Sequence, residues 1–308
     1  MKAVRVHSFN QALRVDEVPE PTAAGDEQLV EMRYAAVNPL DIWVSQGRAS
    51  GKLPMIVGVE GVGTLDGQAV LVNGAGLGTA RDGTYAEHVV APPNALTKLS
   101  SNAALKQAAA MGVAGVTAWN VVHELAKVSS GDRVLVLGAS GGVGSVVVQV
   151  AKNTGATVWG QTSASEKADI LKEAGADNVV VAADSELAEK VKDFQPTVVI
   201  DPLGNGFTGA AIEAMAAGGR LVIFGASAGP VGEISLRAFY GKGLTMMGYV
   251  GLSLSDEVRT AALDKVLAEL AAGRIRVHID DILPLDQAAE AHRRILGRQV
   301  RGKLLLTI

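Results

Sequence analysis

The second half of the chain alternates apolar runs with helical segments, and this alternation constrains the fold more than any other feature. The apolar runs carry no polar alternation, which indicates burial on both faces, as in a parallel sheet covered by helices. The sequence therefore predicts a doubly wound α/β domain. Its predicted strands span 134–137, 157–159, 178–181, 197–200 and 220–224, and its predicted helices span 144–153, 165–174, 185–194 and 206–216.

The first hundred residues have a different pattern. Short apolar runs at 3–6, 29–37, 69–72 and 86–90 are separated by prolines and other turn formers, which predicts a strand-and-turn domain. Helical composition begins near Ser101 or Asn102, either of which is a plausible cap. Beyond the alternating region the sequence predicts a strand at 244–250, helices at 255–272 and 286–296, and a final strand at 303–308.

The length and composition of the chain limit the functions that it can have. A chain of 308 residues exceeds the size at which one core usually stops growing, so two domains are expected. The 28 basic and 32 acidic residues leave a net charge of -4, so no excess positive charge is available to neutralise a phosphate backbone. Nucleic acid is therefore not expected as a partner.

The chain contains no cysteine, which excludes disulfides, thiolate catalysis and any cysteine-ligated zinc. The longest apolar stretch, 108–122, is interrupted by Thr117 and Asn120, so no membrane span is predicted. The first residues lack the apolar region and cleavage site of a signal peptide. We expect a cytoplasmic protein.

A glycine-rich turn joins the first strand of the alternating region to its helix, and residues 133–151 read RVLVLGASGGVGSVVVQVA. A diphosphate must approach backbone N–H groups at a helix N-terminus, an approach that side chains at Gly141 and Gly142 would obstruct. Gly144 would let the helix pack closely on the strand. Ala139 replaces the first glycine of the usual fingerprint. The alternative, a simple tight connection, is disfavoured because clustered glycines cost conformational entropy.

The end of the second strand bears on the choice of cofactor. NAD sites place an acidic residue about 20 positions after the turn, whereas residues 158–165 read VWGQTSAS, without a carboxylate. Ser163 could hydrogen-bond a 2′-phosphate and Lys167 could supply positive charge. Lys167 could also be a solvated helix residue, a role compatible with phosphate binding. The sequence predicts NADPH rather than NADH.

Short motifs recur along nearly the whole chain in a specific order. They are NPLD at 38–41 followed by Gly47, LP at 53–54, GVEGVG at 58–63, GTYAE at 83–87, GVTAW at 115–119, the glycine turn, Asp201 with Gly204, GRLV at 219–222 and GK at 302–303. Together they resemble the zinc-independent NADPH:quinone oxidoreductase (zeta-crystallin-like) branch of the medium-chain dehydrogenase/reductase superfamily.

The resemblance implies an α/β fold of two domains. A GroES-like β domain would comprise residues 1–110 and 252–308. A Rossmann domain with a doubly wound parallel sheet, residues 111–251, would be inserted into it and bind NADPH. Because many members are homodimers joined through their cofactor domains, a homodimer is expected.

The resemblance also implies roles for individual residues. It places Asn38 and Thr117 beside the nicotinamide as candidate catalytic residues, and Ser163 and Lys167 at the adenosine phosphate. The predicted substrate pocket contains Trp43 and Tyr249. The remaining predicted cofactor residues are Ser140, Gly141, Gly142 and Val143 at the diphosphate, and Phe224, Gly225, Ala226 and Val250 around the cleft. Related quinone reductases often carry a tyrosine near Ala49, so a roomier pocket is expected here.

No metal site is predicted. Zinc-dependent relatives place a cysteine near the position of Asn38 and a histidine within 58–60, where this chain has Val59. The five histidines show no metal-ligand spacing. Hydride transfer to a quinone or activated enone fits this expectation, because such acceptors are already electron-poor and need mainly orientation, water exclusion and a hydrogen-bond donor.

The sequence thus favours an NADPH-dependent, zinc-independent reductase of quinones or related activated carbonyl compounds. One alternative is a reductase of enones or enoyl thioesters whose quinone activity is incidental. Another is a low-turnover NADPH-binding redox sensor, which would bind the cofactor without acceptor-dependent oxidation.

Overall fold

The computed structural model describes residues 1–48, 52–100 and 104–308. Ala49 and the predicted helix cap at Ser101 or Asn102 lie outside these ranges. The strands are β1 (Lys2–Val6), β2 (Arg14–Glu17), β3 (Gln28–Val37), β4 (Met55–Ile56), β5 (Glu60–Leu65), β6 (Gln68–Asn73), β7 (His88–Ala91), β8 (Leu96–Lys98), β9 (Arg133–Val136), β10 (Thr157–Thr162), β11 (Asn178–Val181), β12 (Val198–Asp201), β13 (Arg220–Ile223), β14 (Thr245–Gly248), β15 (Ile279–Pro284) and β16 (Lys303–Thr307).

The α-helices are α1 (Pro39–Ser45), α2 (Leu105–Ala109), α3 (Met111–Trp119), α4 (Gly142–Asn153), α5 (Ala168–Glu173), α6 (Asp184–Val191), α7 (Gly206–Ala214), α8 (Leu236–Gly241), α9 (Asp256–Ala271) and α10 (Ala288–Leu296). Short 3₁₀ turns occur at Pro93–Ala95, Ser165–Lys167, Gly251–Ser253 and Leu285–Gln287, and a π-helical segment at Asn120–Leu125. Across the described ranges, no helix has the length and apolar character needed to cross a membrane.

The chain forms two compact units. The β unit comprises Met1–Val113, Ser255–Ala271 and Ile279–Ile308, and the α/β unit comprises Ala114–Leu254 and Ala272–His278. The predicted ranges differ mainly at 272–278, which they assigned to the β domain. In the structure this segment is joined to α4 by a pair of hydrogen bonds: Gln149 Nε2 donates to the Arg276 carbonyl (2.7 Å) and the Arg276 N–H donates to Gln149 Oε1 (2.8 Å).

The α/β unit contains a six-stranded sheet in the order β11-β10-β9-β12-β13-β14, with every neighbouring pair parallel. This is the strand order of a doubly wound dinucleotide-binding fold, so the predicted fold class is confirmed. Central strand residues such as Leu135 and Val199 are fully buried and pack against helix residues such as Leu187 and Ile212. Burial on both faces explains why the strands are apolar throughout.

The β unit contains a larger sheet in the order β15-β16-β3-β5-β6-β8, with β7 also paired to β3, and a smaller sheet in the order β2-β1-β4. The sequence prediction missed β5. Its glycines obscure the strand pattern, yet they are needed there: a Cβ on Gly61 would lie 2.5 Å from the Tyr34 carbonyl oxygen, and one on Gly63 would overlap the carbonyl oxygen of Glu31.

Candidate active site

The predicted cofactor residues, together with Tyr249 of the predicted substrate pocket, lie at one edge of the α/β sheet. Parallel strands end at the same edge, and the predicted residues lie in the segments that follow four of them, β9, β10, β13 and β14. The structure therefore brings together Ser140, Gly141, Gly142 and Val143 after β9, Ser163 and Lys167 after β10, Phe224, Gly225 and Ala226 after β13, and Tyr249 and Val250 after β14. Their contact with a cofactor remains a prediction.

The glycine turn leaves open space at the start of α4. Gly141 caps α4, whose first N–H groups have no acceptor within the helix. A Cβ on Gly141 would meet only the Gly138 carbonyl oxygen, at 3.3 Å, so the space beside the turn is open. Gly144 packs against the turn itself, where a Cβ would lie 2.5 Å from the Gly138 oxygen and 2.7 Å from Ala139 Cα. Close packing therefore explains why position 144 is a glycine. The open space beside Gly141 could admit a phosphate group.

Buried polar side chains hold this turn, and sequence reasoning missed the principal one. Gln161, which is 1% exposed, accepts a hydrogen bond from the Gly138 N–H (2.9 Å) and donates to the Ala182 carbonyl (2.7 Å). The Ser140 and Thr162 hydroxyls are 3.0 Å apart and hydrogen-bonded. The turn is therefore fixed to β10. A glutamine inside an otherwise buried strand was the available sequence signal.

A buried carboxylate likewise fixes the loop after β12. Asp201 is fully buried; its Oδ1 accepts hydrogen bonds from the N–H groups of Leu203 (2.7 Å) and Gly204 (3.0 Å), and its Oδ2 accepts one from the Thr208 hydroxyl (2.6 Å). Gly225 packs on this loop, because a Cβ there would lie 2.8 Å from the Pro202 carbonyl oxygen. Preorganised turns of this kind reduce the ordering cost of binding a ligand.

The residues predicted to select NADPH lie after β10. Ser163 is exposed and directly follows the strand, while Lys167 is half-buried at the end of the 3₁₀ turn. The strand ends without a carboxylate that would repel a 2′-phosphate. The local arrangement is compatible with an adenosine phosphate between Ser163 and Lys167.

Two predicted site residues, Thr117 and Tyr249, approach each other within the α/β unit. Thr117, on α3, is 7% exposed. Burial raises the pKa of Tyr249, and the nearby Thr117 side chain partly offsets this shift. The Tyr249 oxygen is screened from solvent, but the two side chains do not reach the geometry of a full hydrogen bond. The structure thus places two hydroxyl groups near each other in the α/β unit.

The β unit holds Asn38 in a buried polar cluster. Asn38 caps α1 and is 2% exposed. Its Oδ1 accepts a hydrogen bond from Lys303 Nζ (2.5 Å), and its Nδ2 donates to Glu60 Oε1 (2.9 Å) and the Ala36 carbonyl (3.3 Å). Because its amide hydrogens already have acceptors, Asn38 has no spare donor for a substrate oxygen. Trp43 lies on α1, half-buried.

A second part of this cluster involves Asp41. Its Oδ2 accepts hydrogen bonds from the Asn38 N–H (2.8 Å) and the Tyr85 hydroxyl (3.0 Å), and its Oδ1 accepts one from the Val59 N–H (3.1 Å). Burial raises the pKa of Asp41 from 3.8 to about 7, although the bonds to Asn38 and Tyr85 and the charge of Lys303 oppose the shift. Burial is also the main cause of a raised pKa at Tyr85. Asp41 thus caps backbone groups of α1 and the β4–β5 connection.

The residues at the expected zinc positions do not fit a zinc ion. The amide oxygen of Asn38 is bonded to an ammonium group, and Val59 offers no side-chain ligand. Among residues 1–48, 52–100 and 104–308, no group of three or more His, Asp or Glu side chains is placed to hold a metal.

Comparisons with known proteins give a consistent family. Residues 24–101 match the alcohol dehydrogenase GroES-like domain, and residues 142–268 match the zinc-binding dehydrogenase family. A zinc-type alcohol dehydrogenase-like protein of Schizosaccharomyces pombe is 31% identical over 96% of this chain and 92% of its own length. A quinone oxidoreductase of Sus scrofa is 28% identical over 100% of this chain and 98% of its own.

A solved structure agrees with these sequence relatives. The quinone oxidoreductase from Thermus thermophilus, described with its NADPH complex, matches with a TM-score of 0.88 at 27% identity and covers 100% of both chains. Together with the strand order of the α/β unit, the glycine turn and the GroES-like match, these similarities identify the family. The chain belongs to the medium-chain dehydrogenase/reductase superfamily, in its quinone oxidoreductase branch.

Proposed function

We propose that this protein is an NADPH-dependent reductase that transfers hydride to quinones or related activated carbonyl compounds without a metal. The observation that carries the proposal is the sheet edge, where the glycine turn at the start of α4 and the carboxylate-free end of β10 lie on neighbouring strands. Support also comes from the quinone oxidoreductases among its relatives, one of which is described with NADPH.

Each part of the site has a separate task in this proposal. When bound, NADPH would supply the hydride. The N–H groups at the start of α4 bind the diphosphate, and Ser163 and Lys167 bind the 2′-phosphate. The Thr117 hydroxyl, with Tyr249 beside it, donates a hydrogen bond to the acceptor oxygen as negative charge develops there. Burial raises the pKa of the Tyr249 phenol further above neutral pH, so the phenol is protonated there.

The β unit contributes orientation in this proposal. We assign Asn38 to positioning rather than to hydrogen-bond donation, because its amide hydrogens are used within the protein. Trp43 offers a flat surface for a quinone ring. An electron-poor acceptor needs no strong electrophile, which is consistent with the poor fit of zinc to Asn38 and Val59.

The direct test is acceptor-dependent oxidation of NADPH, with NADH in parallel, against a panel of quinones, enones and enoyl thioesters. Fast, NADPH-selective oxidation by quinones is expected. A higher kcat/KM with enones or enoyl thioesters would instead favour that alternative reductase. Tight NADPH binding without turnover would favour a redox sensor and refute the proposed activity.

Cofactor choice is tested separately with Lys167→Ala. Removal of its charge should weaken NADPH binding by about tenfold while leaving NADH binding nearly unchanged, in line with a charge-assisted hydrogen bond of about 1.5 kcal/mol. Lys172→Ala is the matched control, because Lys172 is an exposed lysine on α5, beyond the predicted phosphate site. Equal losses for both cofactors would contradict the assignment.

We further propose a homodimer formed through β14. This strand pairs only with β13 among the described strands, so its other side is a free edge. Large apolar side chains are exposed on and near it, including Met246 (41%), Tyr240 (73%) and Leu236 (69%). A second copy would pair this edge and cover these side chains.

Sedimentation at several concentrations tests the dimer. Met246→Lys should yield monomers, whereas Val181→Lys, a matched change on the opposite edge strand β11, should not. A concentration-independent monomer for the unmodified protein would refute the proposed association.

A further inference from the structure

Lys303 places a charged amine in the interior of the β unit. It is the first residue of β16, a strand that continues with three fully buried leucines, and its side chain is 5% exposed. Its Nζ donates to Asn38 Oδ1 (2.5 Å) and Glu60 Oε1 (2.8 Å). Desolvating an ammonium group is costly, so its position requires these two partners.

Glu60 extends this contact to α3. It begins β5 and is fully buried. While its Oε1 contacts Lys303 and Asn38, its Oε2 accepts a hydrogen bond from the Val113 N–H (2.7 Å). Gly112 makes room for this contact, because a Cβ there would lie 2.8 Å from Oε2. The Glu60 carboxylate therefore links Lys303 at the start of β16, Asn38 at the N-cap of α1 and the first turn of α3.

The two charged partners specify a single orientation of the Asn38 amide. Lys303 can only donate and therefore faces Oδ1, whereas Glu60 accepts from Nδ2. Reversing the amide would direct an N–H toward the ammonium group and an oxygen toward the carboxylate. The pair thus acts on two segments that carry proposed site residues: Asn38 begins the helix of Trp43, and Val113 lies four residues before Thr117 on α3.

We propose that Lys303 and Glu60 are positioning residues for hydride transfer, fixing the Asn38 amide and the first turn of α3. This inference rests on the proposed reductase function. Neither residue needs to touch substrate or cofactor. A displacement of about 1 Å at a reacting group can reduce a rate by about 100-fold, so removing the pair should affect hydride transfer more than cofactor binding.

The experiment compares Lys303→Met, Glu60→Gln and the double variant. Lys303→Met leaves the Glu60 carboxylate buried without its cation, so it should lower both Tm and the single-turnover rate of hydride transfer. The double variant also removes the Glu60 charge, so Tm should recover most of what Lys303→Met loses. The amide oxygen introduced by Glu60→Gln would stay on the Val113 N–H, so the new amide nitrogen would face Asn38 and reverse the Asn38 amide.

The double variant therefore separates positioning from charge compensation. We expect its hydride transfer to remain at least about tenfold slower than in the unmodified protein, with a full primary isotope effect from deuterated NADPH and an unchanged dissociation constant for NADPH. Recovery of the original rate together with Tm would overturn the proposal, since the pair would then serve stability alone. An undiminished rate in Lys303→Met would also overturn it.

Arg220→Met is the matched control. It removes a cation from another buried carboxylate, Asp132, which is 9% exposed and bonded to Arg220 at 2.5 Å in the α/β unit. It should lower Tm without slowing hydride transfer. An equal slowing in this control would overturn the inference by showing that rate follows stability.

Hydrogen exchange provides a readout that needs no turnover. Lys303→Met should accelerate exchange in α1 and the first turn of α3, and Arg220→Met should not. If none of the tested acceptors supports NADPH oxidation by the unmodified protein, the proposed function fails. Hydrogen exchange would still decide whether Lys303 and Glu60 fix those two segments. Unchanged exchange in both segments would refute the positioning role.

Discussion

His292 should make the protein less stable as the pH falls from 7 to 5. It lies on α10, is 6% exposed, and packs edge-on to Tyr85 with ring centroids 6.0 Å apart. Its Nε2 is buried without a hydrogen-bond partner in the described part of the chain. Burial lowers the pKa of His292 from 6.5 to about 4. The native state therefore keeps the ring neutral at pH values where the unfolded state protonates it.

The direction and size of the change in stability follow from the two pKa values of His292, 6.5 in the unfolded state and about 4 in the native state. Below pH 6.5 the unfolded chain gains a proton that the native ring does not accept, so stability declines until the pH reaches about 4. Between pH 7 and pH 5 this one group should reduce the free energy of unfolding by about 2 kcal/mol, and by about 3 kcal/mol at its limit.

Urea unfolding of the unmodified protein and of His292→Phe at both pH values isolates this effect. Phenylalanine keeps a ring against Tyr85 but has no titrating group. Any constant change in packing cancels when the difference between pH 7 and pH 5 is compared across the two proteins. The variant should lack about 2 kcal/mol of acid destabilisation. Equal pH differences in both proteins would show that His292 is not held neutral and would refute the reasoning.

Three other outcomes follow from the structure. Asp41 titrates in the opposite direction: burial raises its pKa to about 7, so its stabilising contribution is present below pH 3.8 and declines as the pH rises through 7. Urea unfolding of Asp41→Asn should therefore lack a loss of about 2 kcal/mol between pH 5 and pH 7, and retention of that loss would contradict this assignment. Gly144→Ala should destabilise the protein by about 1–3 kcal/mol in thermal unfolding, because its Cβ would overlap backbone atoms, whereas Gly131→Ala meets nothing within 4 Å and should be neutral. Reductase activity should survive dialysis against a chelator, and restoration of lost activity by zinc would contradict the proposed metal-free chemistry.

The α/β unit was predictable from sequence because its strands and its glycine turn are each specified by residues that are adjacent in the chain. Strands buried on both faces appear as uninterrupted apolar runs, and their predicted ends agree with the structure to within three residues. The glycine turn joins adjacent elements, so its position at the start of α4 could also be read along the chain. Because strand ends share an edge, the grouping of Ser140, Ser163, Phe224 and Tyr249 followed from the fold.

The β unit was less predictable because its contacts are distant in sequence. Glu60 and Lys303 are separated by 243 positions, and each stands at the beginning of a strand where a charge could equally face solvent. The available signal was weak: a lysine directly precedes three leucines that belong to the core. Such a residue is buried with its strand, but its partner cannot be read from local pattern.

The buried cluster of Asp41, Glu60 and Lys303 contains more carboxyl groups than cations. Two carboxyl groups, Asp41 and Glu60, share one ammonium group, that of Lys303, and Glu60 holds it directly at 2.8 Å. Asp41 interacts with the ammonium only through space and depends on three neutral donors, which do not outweigh its desolvation. Desolvation therefore raises the pKa of Asp41. Loss of Lys303 would leave both carboxyl groups without a cation, so Lys303→Met should raise the pKa of Asp41 further and strengthen the pH dependence that Asp41→Asn removes.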